Sequence, residues 1–221
     1  MTVSIILEAV KRAFFAFKSG FAEGKSAGEL FSAFTASLDS ELGEYEIVYD
    51  YLLGPDSANI DGKTDGGYIP RRHDPVLMDI SVGKEGVWCD VCRTFFVGEA
   101  TDEQREKYEI IKASLYAGAE AMRVGAPAHE VFDAVNGVYL SHGLSLVHHA
   151  GHRIGDAPLL QPQFLSGRDE PLAVGECYTV ESGLYSEYGI RLENDFLLNK
   201  TGAIDLFESK MPLDIEEYIL K

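Results

Sequence analysis

The chain is short of cysteine, short of basic residues and without a long apolar run, and each shortage closes a class of function. Cys89, Cys92 and Cys177 are its 3 cysteines in 221 residues, too few for a disulfide framework and suited to a reduced compartment. Cys89 and Cys92 form a CxxC, but residues three apart on a strand face opposite sides, so the pair does not readily close a disulfide or share a zinc ion. Lysine and arginine total 19 against 36 aspartates and glutamates, a net charge of −17, and no local basic cluster interrupts that excess. Phosphate backbones and anionic membranes are therefore repelled, which excludes nucleic acid and membrane as partners. The opening MTVSIILEAVKRAFFAFKSG is broken by Glu8, Lys11 and Arg12 before a signal-peptide core forms. Nothing approaches the roughly 20 apolar residues of a membrane span. A cytoplasmic protein is expected.

What is present describes a globular domain. A hydrophobic fraction of 46% with 11% aromatics excludes disorder, and the chain is long enough to bury a core. Helical spacing over residues 3–18 puts Ile5, Ile6, Val10, Phe14 and Phe17 on one apolar face. Ser26 and Glu29 open a second helix as a capping box, and Thr101 and Gln104 do the same for a third over 102–123. A fourth covers 128–141 and stops at His142-Gly143. Strands are read at 45–53, 75–81, 86–97, 144–150, 176–182 and 188–198, with VGKEG as a hairpin turn and long loops over 54–73 and 155–175. The order helix, helix, strand, strand, strand occurs twice, in 1–97 and in 102–198. Two α/β halves of similar plan around a shared cleft, within a single domain spanning 1–221, are the expected architecture.

The chemistry lies in four carboxylates inside apolar runs: Asp79 in VLMDIS, Asp90 in VWCDVC, Glu181 in YTVES and Glu193 in IRLEN. A carboxylate in such a surround either protonates or needs a strong cationic partner, and the nearby basic residues are chiefly Arg93 and Arg191. The segment HHAGHRIG, residues 148–155, adds imidazoles beside glycines. Two divalent cations would balance the four negative charges. His149 is read as facing away from His148 on an extended segment, and His73, His129 and His142 as surface or capping groups.

These residues, in this order, resemble the pita-bread metallopeptidases: methionine aminopeptidase, aminopeptidase P, prolidase and creatinase. DISVGKEGVWCDVCRTF matches the segment with two metal-binding aspartates eleven positions apart, GHRIG the histidine segment, YTVESGLY the first glutamate and GIRLEND the last. The resemblance implies an α/β (α+β) pita-bread fold of two pseudo-symmetric halves and the metal ligands Asp79, Asp90, His152, Glu181 and Glu193. It implies two divalent metal ions, manganese first, with cobalt, iron or zinc as alternatives. By the same resemblance Glu181 is the general base, His148 a hydrogen-bonding group for the substrate carbonyl or oxyanion, Arg191 a brace for the carboxylates and Tyr185 a wall of the cleft. The Arg93-Thr94 pair and Arg191 are closer to aminopeptidase P and prolidase than to methionine aminopeptidase.

Several positions depart from that pattern. The loop NIDGKTDGG carries Ile60 and Asp61 where prolyl-type relatives have a histidine, and Leu159 replaces another, while His148 is kept. Ser182 stands for the usual proline after Glu181, and Ser81 for a glycine. The N-terminal domain of aminopeptidase P and prolidase is not expected. The implied activity is a metal-dependent exopeptidase acting next to an N-terminal residue of a small peptide, most like an Xaa-Pro aminopeptidase or dipeptidase. The alternative is a catalytically weak or inactive member that keeps the metal site as a binding protein. A homodimer is common among such relatives.

Overall fold

The computed structural model describes residues 2–221. Helix α1 (Val3–Gly20) buries Ile6, Leu7, Val10, Phe14 and Phe17 on one stripe. Ile5, assigned to that stripe by its spacing, is instead 50% exposed, because it sits about 100° round the helix from Ile6. Helix α2 (Ala27–Leu42) opens with the expected capping box, Glu29 N–H donating to Ser26 Oγ and Ser26 N–H to Glu29 Oε2. Strands β1 (Glu46–Leu53), β2 (Pro75–Lys84) and β3 (Val87–Val97) complete the first half. The β2–β3 turn is tighter than VGKEG: only Glu85 and Gly86 leave the ladder, with φ of 55° and 73°, the left-handed pair of a two-residue hairpin.

The second half repeats the plan. Helix α3 (Asp102–Ala121) carries the Thr101–Gln104 capping box, and α4 (Ala128–Ser141) ends at His142 with Gly143 at φ 71°. Residues 144–150, read as a strand, are irregular: Leu146 N–H is taken by Asn136 Oδ1 and Ala150 N–H by Phe164 O, so local partners replace a ladder. Pairing begins at β4 (His152–Ile154), and the stretch read as a loop contains β5 (Leu160–Gln163), its antiparallel partner. Strands β6 (Cys177–Tyr185) and β7 (Gly189–Asn199) form the second hairpin, followed by β8 (Gly202–Asp205) and β9 (Ile219–Leu220).

One sheet joins both halves in the order β1-β2-β3-β7-β6-β4-β5, with β8 on β7 and β9 on β3. Helices α1 and α2 pack together on the first half, and α3 lies against β6 and β7 on the second. The two hairpins meet at a single ladder pair, Cys92 opposite Glu193, beside which Thr94 Oγ1 accepts from Arg191 N–H and donates to Arg191 O, both at 3.0 Å. On the helix side of this seam the fully buried Arg93 donates to Cys92 O, Glu193 O, Met211 O, Asn194 Oδ1 and Tyr218 Oη. It is a structural hub that pins the C-terminal segment to the seam.

The strand period of two sends the apolar residues Met78, Ile80, Val82, Val91, Val180, Ile190 and Leu192 to the helix side. The intervening residues line the other face. There, cross-strand partners fall into a row over five strands: Asp50, Asp79, Cys92, Glu193, Glu181. A neighbouring row carries Leu52, Leu77, Thr94 and Arg191. Cys89 and Cys92 belong to separate apolar clusters, in keeping with their opposite faces. Among the described residues no helix is long and apolar enough to cross a membrane.

Candidate metal centre

Three side chains from three strands converge on the concave face. Asp90 of β3, His152 of β4 and Glu193 of β7 each offer a ligand atom within 4.8 Å of the others, and all three are buried. His152 Nε2 lies 3.7 Å from Asp90 Oδ2 and 4.0 Å from Glu193 Oε1. Its Nδ1 is 3.1 Å from Arg153 O; a carbonyl only accepts, so the proton sits on Nδ1 and the Nε2 lone pair faces the carboxylates. Gly151 makes that placement feasible: its φ is 133°, and a Cβ there would stand 2.2 Å from Thr179 O.

The other two expected ligands lie in the same face but are tied to a cation. Arg191 Nη1 is 2.9 Å from Asp79 Oδ2, its Nη2 contacts Glu181 Oε2, and Nη2 is 3.7 Å from Glu193 Oε2. Arg191 thus touches the carboxylates directly. His149 departs from its sequence reading, for its Nδ1 lies 2.9 Å from Glu181 Oε1 with the ring 26% exposed. The segment is not extended there, so the alternation that would turn His149 away does not operate.

His148 Nδ1 is 2.6 Å from His149 O, so this ring too carries its proton on Nδ1, and its buried Nε2 is a lone pair without a hydrogen-bond partner among the described residues. In this tautomer that atom accepts a hydrogen bond. Tyr185 packs on Leu52, Leu77 and Cys92 and edge-on to His148, and its buried hydroxyl has no hydrogen-bond partner among the described residues. Sequence reading missed two supports of Asp90: Ser81 Oγ donates to its Oδ2 at 2.8 Å, and its N–H donates to Asp195 Oδ2 at 3.0 Å. Asp195, two residues after Glu193 in the same apolar strand, carried the signal used for the other four acids. The accessory positions are exposed, Asp61 in its loop and Leu159 at 48%.

Burial dominates the electrostatics. It pushes Asp79 up to about 6, with Glu181 and Asp50 adding to the rise and Arg191 opposing it. Burial and neighbouring carboxylates hold Asp90 and Glu193 well above the usual range. Burial also acts upward on Glu181, but Arg191 and His149 outweigh it and leave that carboxyl below its ordinary value. His148 falls to about 4 through burial. Asp90 Oδ1 and both oxygens of Glu193 are buried with no hydrogen-bond partner among the described residues. Buried carboxylate oxygens of this kind, beside an imidazole lone pair, fit a divalent cation of the oxygen- and nitrogen-preferring type.

The curled antiparallel sheet flanked by two helix pairs is a pita-bread fold, here with a candidate metal-binding triad at its centre. The chain belongs to metallopeptidase family M24, whose sequence model matches residues 2–200. It is 29% identical over 204 residues to an Xaa-Pro dipeptidase of Lactobacillus delbrueckii subsp. lactis, covering 88% of this chain and 55% of that protein. It is 30% identical over 141 residues to a probable dipeptidase PepE of Mycobacterium tuberculosis, covering 62% and 38%. Among solved structures, a recombinant prolidase from Thermococcus sibiricus superposes with a TM-score of 0.82 at 28% identity, covering 90% of this chain and 56% of that one. The prolidase from Pyrococcus furiosus gives 0.86 at 24% identity, covering 92% and 62%, which speaks to the fold. The chain spans about half the length of such relatives or less.

Proposed function

We propose that this chain hydrolyses the peptide bond next to the N-terminal residue of short peptides, in the manner of an Xaa-Pro dipeptidase or aminopeptidase, and that it acts as one catalytic unit. The observation that carries the reading is the convergence of Asp90, His152 and Glu193, with unpaired buried oxygens, in a chain of family M24. Asp79, Asp90, His152, Glu181 and Glu193 would hold two divalent ions, manganese by preference, with cobalt, iron or zinc as substitutes. When bound, such ions lower the pKa of water and polarise a carbonyl.

The side chains divide the remaining work. Glu181 accepts the proton of the attacking water at Oε1, and its contact with Arg191 keeps the carboxylate ionised for that task. Arg191 also orients Asp79, so a single guanidinium sets the angle between two ligands. His148 Nε2 accepts a hydrogen bond from a substrate N–H, and the Tyr185 hydroxyl donates to a substrate oxygen. The exposed Asp61 and Leu159, where prolyl-type relatives carry histidines, favour a second reading in which the chain binds metal but turns peptides over weakly.

The test is to strip the protein with chelator and add back Mn²⁺, Co²⁺ or Zn²⁺ separately. Release of the N-terminal residue from Xaa-Pro dipeptides, longer Xaa-Pro peptides and Met-Ala peptides is then assayed. The expected result is metal-dependent turnover that vanishes in Asp90→Asn and Glu181→Gln. Tight metal binding with no turnover on any of these peptides would overturn the peptidase reading in favour of the second.

A further inference from the structure

Asp90 and His152, two of the three side chains that converge in the candidate metal centre, sit on strands that are not neighbours in the sheet, for β7 and β6 lie between β3 and β4. Their separation is therefore set by whatever holds each to the strands in between. Main-chain pairing stops short at both seams. Strand β3 meets β7 at the one ladder pair, Cys92 with Glu193, and two residues along each strand the same register brings Asp90 opposite Asp195. Strand β4 meets β6 from Arg153 onward, with Arg153 opposite Tyr178, and one residue back the same register brings His152 opposite Thr179.

At each seam a side chain takes the place of the missing main-chain acceptor. Asp195 Oδ2 accepts the Asp90 N–H at 3.0 Å, and Thr179 Oγ1 accepts the His152 N–H at 3.1 Å. Asp195 and Thr179 are themselves directly opposite one another on β7 and β6, and both are fully buried. A second row thus crosses the sheet beside the one that holds Glu193 and Glu181: Asp90, Asp195, Thr179, His152, continued by Ser81, which stands opposite Asp90 and donates to its Oδ2. A buried N–H needs an acceptor, and a main-chain carbonyl would supply one only by drawing the strands to ladder spacing. A side-chain oxygen reaches across a wider gap, so it fixes the main chain of the ligand while the strand stands off. Asp195 has little else to gain from its position, since its Oδ1 is buried with no hydrogen-bond partner among the described residues.

We propose that Asp195 and Thr179 are positioning residues for the metal centre: side by side, they set the distance between Asp90 and His152 by holding the main chain of each. The inference rests on the reading of Asp90 and His152 as ligands.

The test titrates Mn²⁺ into chelator-stripped protein by calorimetry. Asp195→Leu and Thr179→Val keep the bulk of the side chain and remove the acceptor, and each is expected to lower Mn²⁺ affinity roughly tenfold or more, the usual effect of deleting a group that orients a ligand. Asp195→Asn and Thr179→Ser keep an oxygen acceptor and are expected to retain most of the affinity. The visible absorption of the Co²⁺ form reports ligand geometry independently of turnover. It is expected to shift in Asp195→Leu and Thr179→Val and to return in Asp195→Asn and Thr179→Ser. A merely structural role would lower the Tm of chelated protein yet leave the affinity and spectrum of the folded variants at wild-type values, and that result overturns the proposal. So does a loss in Asp195→Asn equal to that in Asp195→Leu, since charge and not the hydrogen bond would then be what Asp195 supplies. Asp195→Ala and Thr179→Ala replace any variant that does not fold. A wild-type chain that binds neither ion overturns the metal centre itself, and this proposal with it.

Discussion

Arg191 Nη1 lies 2.9 Å from Asp79 Oδ2 while its Nη2 contacts Glu181 Oε2, so one buried guanidinium joins a carboxylate of the first hairpin to one of the second. Removing it leaves two buried acids without their cation. Arg191→Met in chelated protein is therefore expected to lose about 3 kcal/mol in urea unfolding, the usual cost of breaking a buried pair on one side. With divalent metal added the loss shrinks, because the ions take over the neutralisation. An equal loss with and without metal would show that Arg191 acts through packing alone.

The acids predict an unusual pH response for the metal-free protein. Asp79 titrates near 6 when folded against 3.8 when unfolded, so between those values the folded state holds more protons. Its stability contribution is present at low pH and is lost as pH rises through about 6, by about 3 kcal/mol if Asp79 acted alone. Asp90 and Glu193, also raised, extend the loss to higher pH. Glu181 is shifted downward and works the other way, losing stability only in stronger acid. Thermal melts in chelator from pH 4.5 to 7.5 are expected to show a falling Tm, reversed by Mn²⁺. A rising Tm without metal would contradict the electrostatics of the cluster.

The inward acids Asp79, Asp90, Glu181 and Glu193 are legible in the sequence because each interrupts an otherwise apolar strand, and GHRIG brings a histidine beside them. The same contrast marks Asp195 in LENDFLL and Asp50 in EIVYDYLL, where an acid also interrupts an apolar run. His149 differs: its segment has a strand's composition, whereas Ala150 and Leu146 bond to Phe164 and to the Asn136 side chain, contacts that only the tertiary fold supplies. The register that aligns Asp50, Asp79, Cys92, Glu193 and Glu181 depends on strands far apart in the chain, and no local pattern announces it.

Gly151 supplies a sharper test of the histidine's placement. A methyl group there would sit 2.2 Å from Thr179 O in a conformation, φ 133°, that side chains rarely adopt. Gly151→Ala must shift the backbone one residue before His152. The expected result is a loss of metal affinity of tenfold or more by calorimetry, with stability reduced by about 2 kcal/mol. Retention of wild-type affinity would mean that His152 is not a ligand.

Thr94 carries the last prediction, because it does the work of a missing ladder. The hairpins share one main-chain pair, Cys92 with Glu193, and beside it the Thr94 hydroxyl both accepts from Arg191 N–H and donates to Arg191 O. Thr94→Val keeps the volume and the strand preference while removing both bonds. Cys92 Sγ, 3.5 Å from Arg191 O, can still serve the carbonyl, but the part-buried N–H loses its partner. A cost of about 2 kcal/mol follows from that one group. Because Arg191 is the residue held, the variant should also lower kcat more than it raises KM, as the brace on Asp79 and Glu181 loosens. Thr94→Ser, which restores the hydroxyl, should recover most of kcat. A valine variant with lowered stability but unchanged kcat would separate the seam from the site, and would mean that Arg191 is positioned by its carboxylates rather than by its strand.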